Sequence, residues 1–125
     1  MKLACIDIGL KRIGVAISLT GDIVTPQTAI LRKNRNQASK DVNTFLKEWE
    51  IEKLIVGFPS ASEDMQKRIN HFVALLDLQI PYEFQEENMS SIEAEDLMKG
   101  DIKYKRDGRV DSLAAKIILE RFISK

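Results

Sequence analysis

An apolar run interrupted by one carboxylate most constrains what this chain can fold into. The run extends from Leu3 to Ile8, and Asp7 is its one charged residue. Gly9 suits a tight turn and residues 12–18 form a second apolar run, so the two segments predict a β-hairpin. An ionised carboxylate in a poorly hydrated site costs on the order of several kcal/mol unless a cation or a set of donors compensates it. We therefore interpret Asp7 as part of a metal or phosphate site.

The remaining apolar pattern predicts an α/β fold. Some segments have strand character, and others repeat apolar residues at helical spacing, with capping-box form at Ser60–Glu63. A three-strand antiparallel meander followed by parallel strands gives a mixed five-stranded sheet with helices on both faces. Beyond the hairpin, the predicted strands cover residues 23–31, 54–57 and 81–87. The first three predicted helices follow the cap segments at residues 34–37, 60–63 and 90–93, and the last helix has its apolar stripe from Val110 to Phe122.

Length and composition limit the setting. Residues 1–125 are expected to form a single domain. No segment approaches the about 18 to 20 apolar residues of a membrane span, and Asp7 comes too early for a signal-peptide core, so we expect a cytoplasmic protein with no membrane partner. Cys5 is the one cysteine, which excludes an internal disulfide and a cysteine-based zinc cluster. Lys plus Arg and Asp plus Glu both number 19, so a nucleic-acid partner would need a local basic patch.

Carboxylates from separate segments are expected to converge on one edge of the sheet. Ligands of such sheets collect outside the carboxyl ends of parallel strands, where Asp7, Gly57 and the Glu86–Glu87 pair lie. Asp111 falls in the first turn of the last helix, where it either favours the helix N-terminus or joins this group. Converging carboxylates repel one another unless divalent cations lie between them. Oxygen ligands suit Mg²⁺ or Mn²⁺, and two such ions roughly 3.5 to 4 Å apart can hold a phosphodiester and activate water, which predicts nuclease chemistry.

Basic residues near these acids are candidates for nucleic-acid binding. Two lie in the turn after Asp7, and the others precede or open the last helix, although a solvated loop has much the same composition. His71 lies far along the sequence from every acidic motif, and we expect it to be an ordinary surface residue. The candidate nucleic-acid-binding residues are Lys11, Arg12, Lys103, Lys105, Arg106 and Arg109.

Four segments carry a resemblance to a known family. Residues 7–18, 55–59, 86–91 and 110–115 resemble, in order and spacing, the YqgF/RuvX family. Its members are described as pre-16S rRNA nucleases or Holliday-junction-resolvase-like proteins. The resemblance implies a ribonuclease-H-like fold. It also implies a catalytic and metal-binding set of Asp7, Glu87 and Asp111.

The chain departs from the family pattern in two places. The family usually has Asp-Glu-Arg followed by Leu-Thr-Thr or Leu-Thr-Ser where this chain has Glu86, Glu87, Asn88 and then Met-Ser-Ser. Because strand alternation turns only one of the two glutamates toward the site, Glu86 stays in reserve as a metal ligand. Residues 60–64 replace the Asn-Met-Asp-Gly that the family often shows. Phosphate contacts and substrate handling are the properties that these changes affect.

Three classes of function follow from the pattern. The leading hypothesis is a metal-dependent endonuclease acting on structured RNA, such as the 5′ precursor end of 16S rRNA, with ribosome precursors as partners. A Holliday-junction-type DNA resolvase is the alternative and would normally require a symmetric dimer, whereas the sequence allows a monomer or a homodimer. The third class is a catalytically silent nucleic-acid-binding or ribosome-assembly module. An Asp-x-Gly hairpin is also typical of actin-like ATPases, but those are two-domain machines and this chain is too short to be one.

Overall fold

A computed structural model describes residues 1–86 and 109–124, with side chains of the last helix described from Ser112 onward. Glu87, the predicted helix near residue 92 and the predicted nucleic-acid-binding residues Lys103, Lys105 and Arg106 lie outside the described residues. The α/β fold class is confirmed. The strands are β1 (Leu3–Ile8), β2 (Arg12–Ser18), β3 (Thr25–Leu31), β4 (Lys53–Phe58) and β5 (Tyr82–Glu86). The helices are α1 (Arg35–Glu48), α2 (Glu63–Leu76) and α3 (Arg109–Ile123).

The five strands form one mixed sheet in the order β3-β2-β1-β4-β5. β1 pairs antiparallel with β2, and β2 pairs antiparallel with β3. β1 also pairs parallel with β4, which pairs parallel with β5. The predicted meander followed by parallel strands is therefore confirmed. β1 is the central strand, so the carboxyl ends of β1, β4 and β5 share one edge, which we call the carboxyl edge.

α1 and α2 cover one face of the sheet. The even-numbered residues of β1, such as Ile6, belong to a core cluster with Val42 of α1 and Phe72 of α2, all fully buried. α1 begins as the sequence predicts, because the Asn34 side chain caps the backbone N–H of Gln37 and the Gln37 side chain returns a bond to the Asn34 backbone. This face contains the larger part of the core.

α3 covers the opposite face. Odd-numbered residues of β1, including the buried Cys5, pack with Ala115 and Ile118 of α3. Ala114 and Ala115 are fully buried, and such small side chains allow a helix backbone to approach the strands closely. The Cys5 side chain is a thiol and is buried within this packing. Since Asp7 has the same parity as Cys5, it lies on the α3 face.

Two local predictions were wrong in detail. β3 begins at Thr25 and not at residue 23, because residues 19–24 form the bend that turns the chain back from β2. The capping box expected at Ser60–Glu63 is not used. Ser62 is the N-cap of α2 and accepts a hydrogen bond from the Met65 backbone N–H at 3.3 Å, while Ser60 lies in the turn that follows β4.

No helix in the described part of the chain is long and apolar enough to cross a membrane.

Candidate functional site

Asp7 lies one residue before the end of the central strand, on the α3 face, and is half-buried. The hairpin turn beyond it is closed by a hydrogen bond from the Gly9 N–H to the Arg12 carbonyl oxygen at 2.9 Å. A Cβ atom at Gly9 would stand 2.6 Å from that oxygen, so the turn requires glycine at this position. The carboxylate is thus attached to a rigid strand next to a tight turn.

Glycines flank Asp7 on both neighbouring strands. Gly14 of β2 is its partner across the antiparallel pair. On the other side, Ile6 pairs with Val56, and continuing this register by one residue places Asp7 level with Gly57 of β4. Neither neighbour carries a side chain, and glycine inside a strand often marks a place where a ligand or another backbone approaches closely.

Gln85 of β5 extends the same row. It pairs with Gly57, so it shares the α3 face with Asp7 at about 10 Å, two strand spacings away. Its side-chain oxygen Oε1 is buried and has no hydrogen-bond partner among the described residues. A buried acceptor without a partner costs about 1–3 kcal/mol. This oxygen is therefore suited to accept a donor or a cation that arrives with a ligand.

The start of α3 is anchored beside Asp7. The pairing of β2 with β3 shifts register between Ile13 and Val15, which interrupts the ladder at Gly14. The Val15 N–H donates instead to the Oγ of Ser112 at 3.4 Å, and Ser112 is buried. Because Gly14 is the strand partner of Asp7, this contact brings the first turn of α3 to the level of the carboxylate. Asp111 directly precedes Ser112.

Glu86, the reserve metal ligand, lies on the opposite face of the sheet. Alternation places it with Phe84, whose ring packs 4.6 Å from that of Phe58 on the α1–α2 side. Its Oε1 accepts a hydrogen bond from the Ser60 backbone N–H at 3.3 Å. This position argues against Glu86 as a partner of Asp7 and directs attention to Glu87.

The predicted basic residues are placed in part. Lys11 is exposed in the hairpin turn and Arg12 opens β2 half-buried, both next to the carboxyl edge. Arg109 opens α3, although its side chain is not among those described. Lys103, Lys105 and Arg106 lie outside the described residues. The structure therefore places Lys11 and Arg12 in the hairpin that follows Asp7, and the role of the others stays a prediction.

Of the predicted metal set, the structure positions the side chain of Asp7 alone, since those of Glu87 and Asp111 lie outside the described part. Among the side chains that are described, no three His, Cys, Asp or Glu residues group together as a metal site. Sequence reasoning missed Gln85 and Ser112. The sequence contains only a weak indication of Gln85. It is a polar residue in β5, a strand that lies beside the parallel strand β4.

These features define a ribonuclease-H-like fold. Solved structures with the same architecture include the fowlpox virus resolvase in complex with Holliday junction DNA, with a TM-score of 0.59 at 16% identity over 100% of both chains. Thermus thermophilus RuvC matches with a TM-score of 0.56 at 11% identity, over 98% of this chain and 94% of that one.

Within that class, residues 1–125 match the family model described as "RuvX: Holliday junction resolvase", and the chain belongs to this YqgF/RuvX family. A relative from Sulfurovum sp. is 62% identical, over 99% of both chains, and is named "Putative pre-16S rRNA nuclease". Relatives of the same name from Sulfurimonas denitrificans and Helicobacter pylori strain 26695 are 49% and 50% identical. The alignments cover 98% and 100% of this chain, and 97% and 96% of those relatives.

Proposed function

We propose that this protein is a divalent-metal-dependent endonuclease that hydrolyses phosphodiesters in structured nucleic acid, and that its task is 5′-end processing of precursor 16S rRNA in the cytoplasm. Membership of the YqgF/RuvX family and the name shared by its relatives support the substrate. The observation that carries the proposal is the position of Asp7. It lies on the central strand at the carboxyl edge, between two glycines and beside the anchored start of α3.

The donor set on this face fits Mg²⁺ or Mn²⁺. Both ions prefer oxygen ligands, and the Asp7 carboxylate and the Gln85 side-chain oxygen, which has no hydrogen-bond partner among the described residues, lie on one face. We assign Asp7, Glu87 and Asp111 as the residues that hold the metal, most naturally as a two-ion site. Bound there, the ions would supply an activated water and stabilise the charge that develops on the phosphate and the leaving oxygen.

The protein's own residues hold and orient the substrate. Gly14 and Gly57 add no side chain on either side of Asp7, which suits the close approach of a phosphodiester to the strands. Lys11 and Arg12 in the hairpin provide positive charge next to the carboxyl edge and contact the substrate backbone. Lys103, Lys105, Arg106 and Arg109 contribute in the same way from the segment that leads into α3.

The test compares cleavage of two substrates, one RNA and one DNA, by variants of neighbouring carboxylates. An RNA with the precursor 5′ end of 16S rRNA and a four-way DNA junction are incubated with the protein and Mg²⁺ or Mn²⁺. The variants Glu87→Gln and Asp111→Asn remove proposed ligands, and Glu86→Gln removes an equal charge on the opposite face. We expect the first two variants to lose RNA cleavage and Glu86→Gln to retain it.

The outcome chooses among the functional classes. Preferential cutting of the four-way junction would replace RNA processing by junction resolution, which the description of the family model favours as the second candidate. Resolution would further require a symmetric homodimer, whereas RNA processing accommodates a monomer. If the folded protein cleaves neither substrate with either metal, the proposal fails in favour of a silent binding or ribosome-assembly module.

A further inference from the structure

A cavity of about 610 Å³ opens on the α1–α2 side of the carboxyl edge. Its wall combines the hairpin turn after β1, the segment that leads from β3 into α1, and the middle of α2. Among the described residues no Asp or Glu lines it, although the whole chain carries equal numbers of acidic and basic residues. The charged and titratable residues that line it are Arg32, Lys33, Arg35, Lys67, Arg68 and His71, which together we call the cationic pocket.

The charges of the cationic pocket are not neutralised from within the described structure. Glu63 and Asp64 lie one helical turn before Lys67 and Arg68, yet no ion pair within the described residues joins them. The ion pairs of the described residues lie elsewhere. Acids and bases four residues apart on a helix stabilise it when they pair across one turn, but that pairing is not formed between these described residues. The cationic pocket therefore has a local excess of positive charge.

The cations are close enough to oppose one another. Burial, together with the neighbouring charges of Arg35 and Arg68, lowers the pKa of the Arg32 guanidinium below its ordinary value. Arg32 is also held in place, because its guanidinium lies 5.6 Å from the centre of the Phe72 ring. Arg35 donates from Nη1 to the Nε2 of His71 at 3.0 Å, so that nitrogen is the acceptor. An anion in the pocket would relieve this repulsion.

The cationic pocket connects directly to the turn that follows Asp7. Arg32 donates from Nη1 to the carbonyl oxygen of Gly9 at 3.0 Å, and its backbone N–H donates to the carbonyl oxygen of Lys11 at 2.9 Å. Leu10 of the same turn lines the cavity. The pocket and Asp7 thus lie on opposite faces of one sheet edge, with the hairpin turn between them.

We propose that the cationic pocket binds the phosphodiester backbone of the nucleic acid at a distance from the cut, and so sets where the substrate crosses the carboxyl edge. Arginine guanidinium groups match phosphate oxygens in bidentate geometry, and such contacts position a nucleic acid without reading its sequence. The choice of nucleic acid as the polyanion rests on the proposed function, whereas the charge of the pocket does not. His71 then belongs to a binding surface, which adds a role to the ordinary surface residue that the sequence suggested.

The test measures binding without cleavage. A fluorescent RNA hairpin is titrated in EDTA with wild-type protein, with Arg35→Ala/Arg68→Ala, and with Lys40→Ala/Lys47→Ala. All four substituted residues are exposed, and the lysine pair removes the same charge from α1 outside the cationic pocket. We expect the arginine pair to weaken binding at least about tenfold. We also expect it to reduce the slope of log affinity against log salt by about 1.5, since each phosphate contact contributes roughly 0.7 to 0.9.

The controls separate the possible outcomes. The lysine pair should leave the salt slope unchanged, and Arg35→Lys/Arg68→Lys should restore much of the affinity because it restores the charge. The proposal for the cationic pocket would be wrong if the arginine and lysine variants lost equal affinity for RNA. It would also be wrong if the arginine variant kept the wild-type salt slope. If the wild-type protein binds RNA through the pocket but cleaves nothing, the proposal for the pocket holds and the nuclease proposal fails. If the wild-type protein cleaves RNA but the arginine variant binds RNA as tightly as wild type, the nuclease proposal holds and the proposal for the pocket fails.

Discussion

Gln85→Met should stabilise the protein and at the same time weaken its site. The substitution keeps the length of the side chain but removes the buried Oε1 that has no partner among the described residues. An unsatisfied buried acceptor costs about 1–3 kcal/mol, and because Gln85 is half-buried we expect the free energy of unfolding to rise by about 1 kcal/mol. For a domain of this length, that corresponds to a rise in Tm of about 4 °C.

The assay combines thermal unfolding with metal binding. Gln79→Met is the matched control, because Gln79 is exposed and the same substitution there should change stability by less than about 0.5 kcal/mol. Mn²⁺ should raise the Tm of the wild type more than that of Gln85→Met, since the variant has lost an oxygen that faces the site. A variant that is no more stable than wild type, or that is more stable but retains its full response to Mn²⁺, would refute the reasoning.

Three further predictions concern the scaffold of the site. Gly9→Ala should lower the free energy of unfolding by about 1–3 kcal/mol, because its Cβ would stand 2.6 Å from the Arg12 carbonyl oxygen; an unchanged Tm would contradict the tight turn. Ser112→Ala should cost about 1–3 kcal/mol by leaving the buried Val15 N–H without its acceptor, and urea denaturation that shows no loss would mean that this contact does not anchor α3. Asn34→Ala should cost about 0.5–2 kcal/mol through loss of the capping box of α1, measured in the same way, and a neutral result would discount the cap.

The strands and their order were predictable because the signals are local. The apolar run of β1, the glycine after it and the second run of β2 specify a hairpin without reference to the rest of the chain. The alternation of strands and helices after the meander then allows few topologies. For this reason the mixed sheet and the central position of the strand that contains Asp7 could be predicted from the residues.

The features that the sequence did not reveal depend on distant segments. Gln85 is informative only once the register of β5 against β4 places it on the face of Asp7. The role of Ser112 depends on the irregularity between β2 and β3, which frees the Val15 N–H. The cationic pocket likewise joins Arg35 to His71, which are 36 positions apart in the chain. Period and composition carry no information about such pairings.

Asp7→Asn tests the central claim most directly. Wild type and variant are assayed for cleavage of the precursor RNA in Mg²⁺, Mn²⁺ and EDTA, with circular dichroism and RNA binding in EDTA as controls for folding and for the substrate surface. The account predicts that EDTA and Asp7→Asn each abolish cleavage while the variant stays folded and still binds RNA. A folded Asp7→Asn protein that cleaves the RNA, or wild-type cleavage that persists in EDTA, would contradict it.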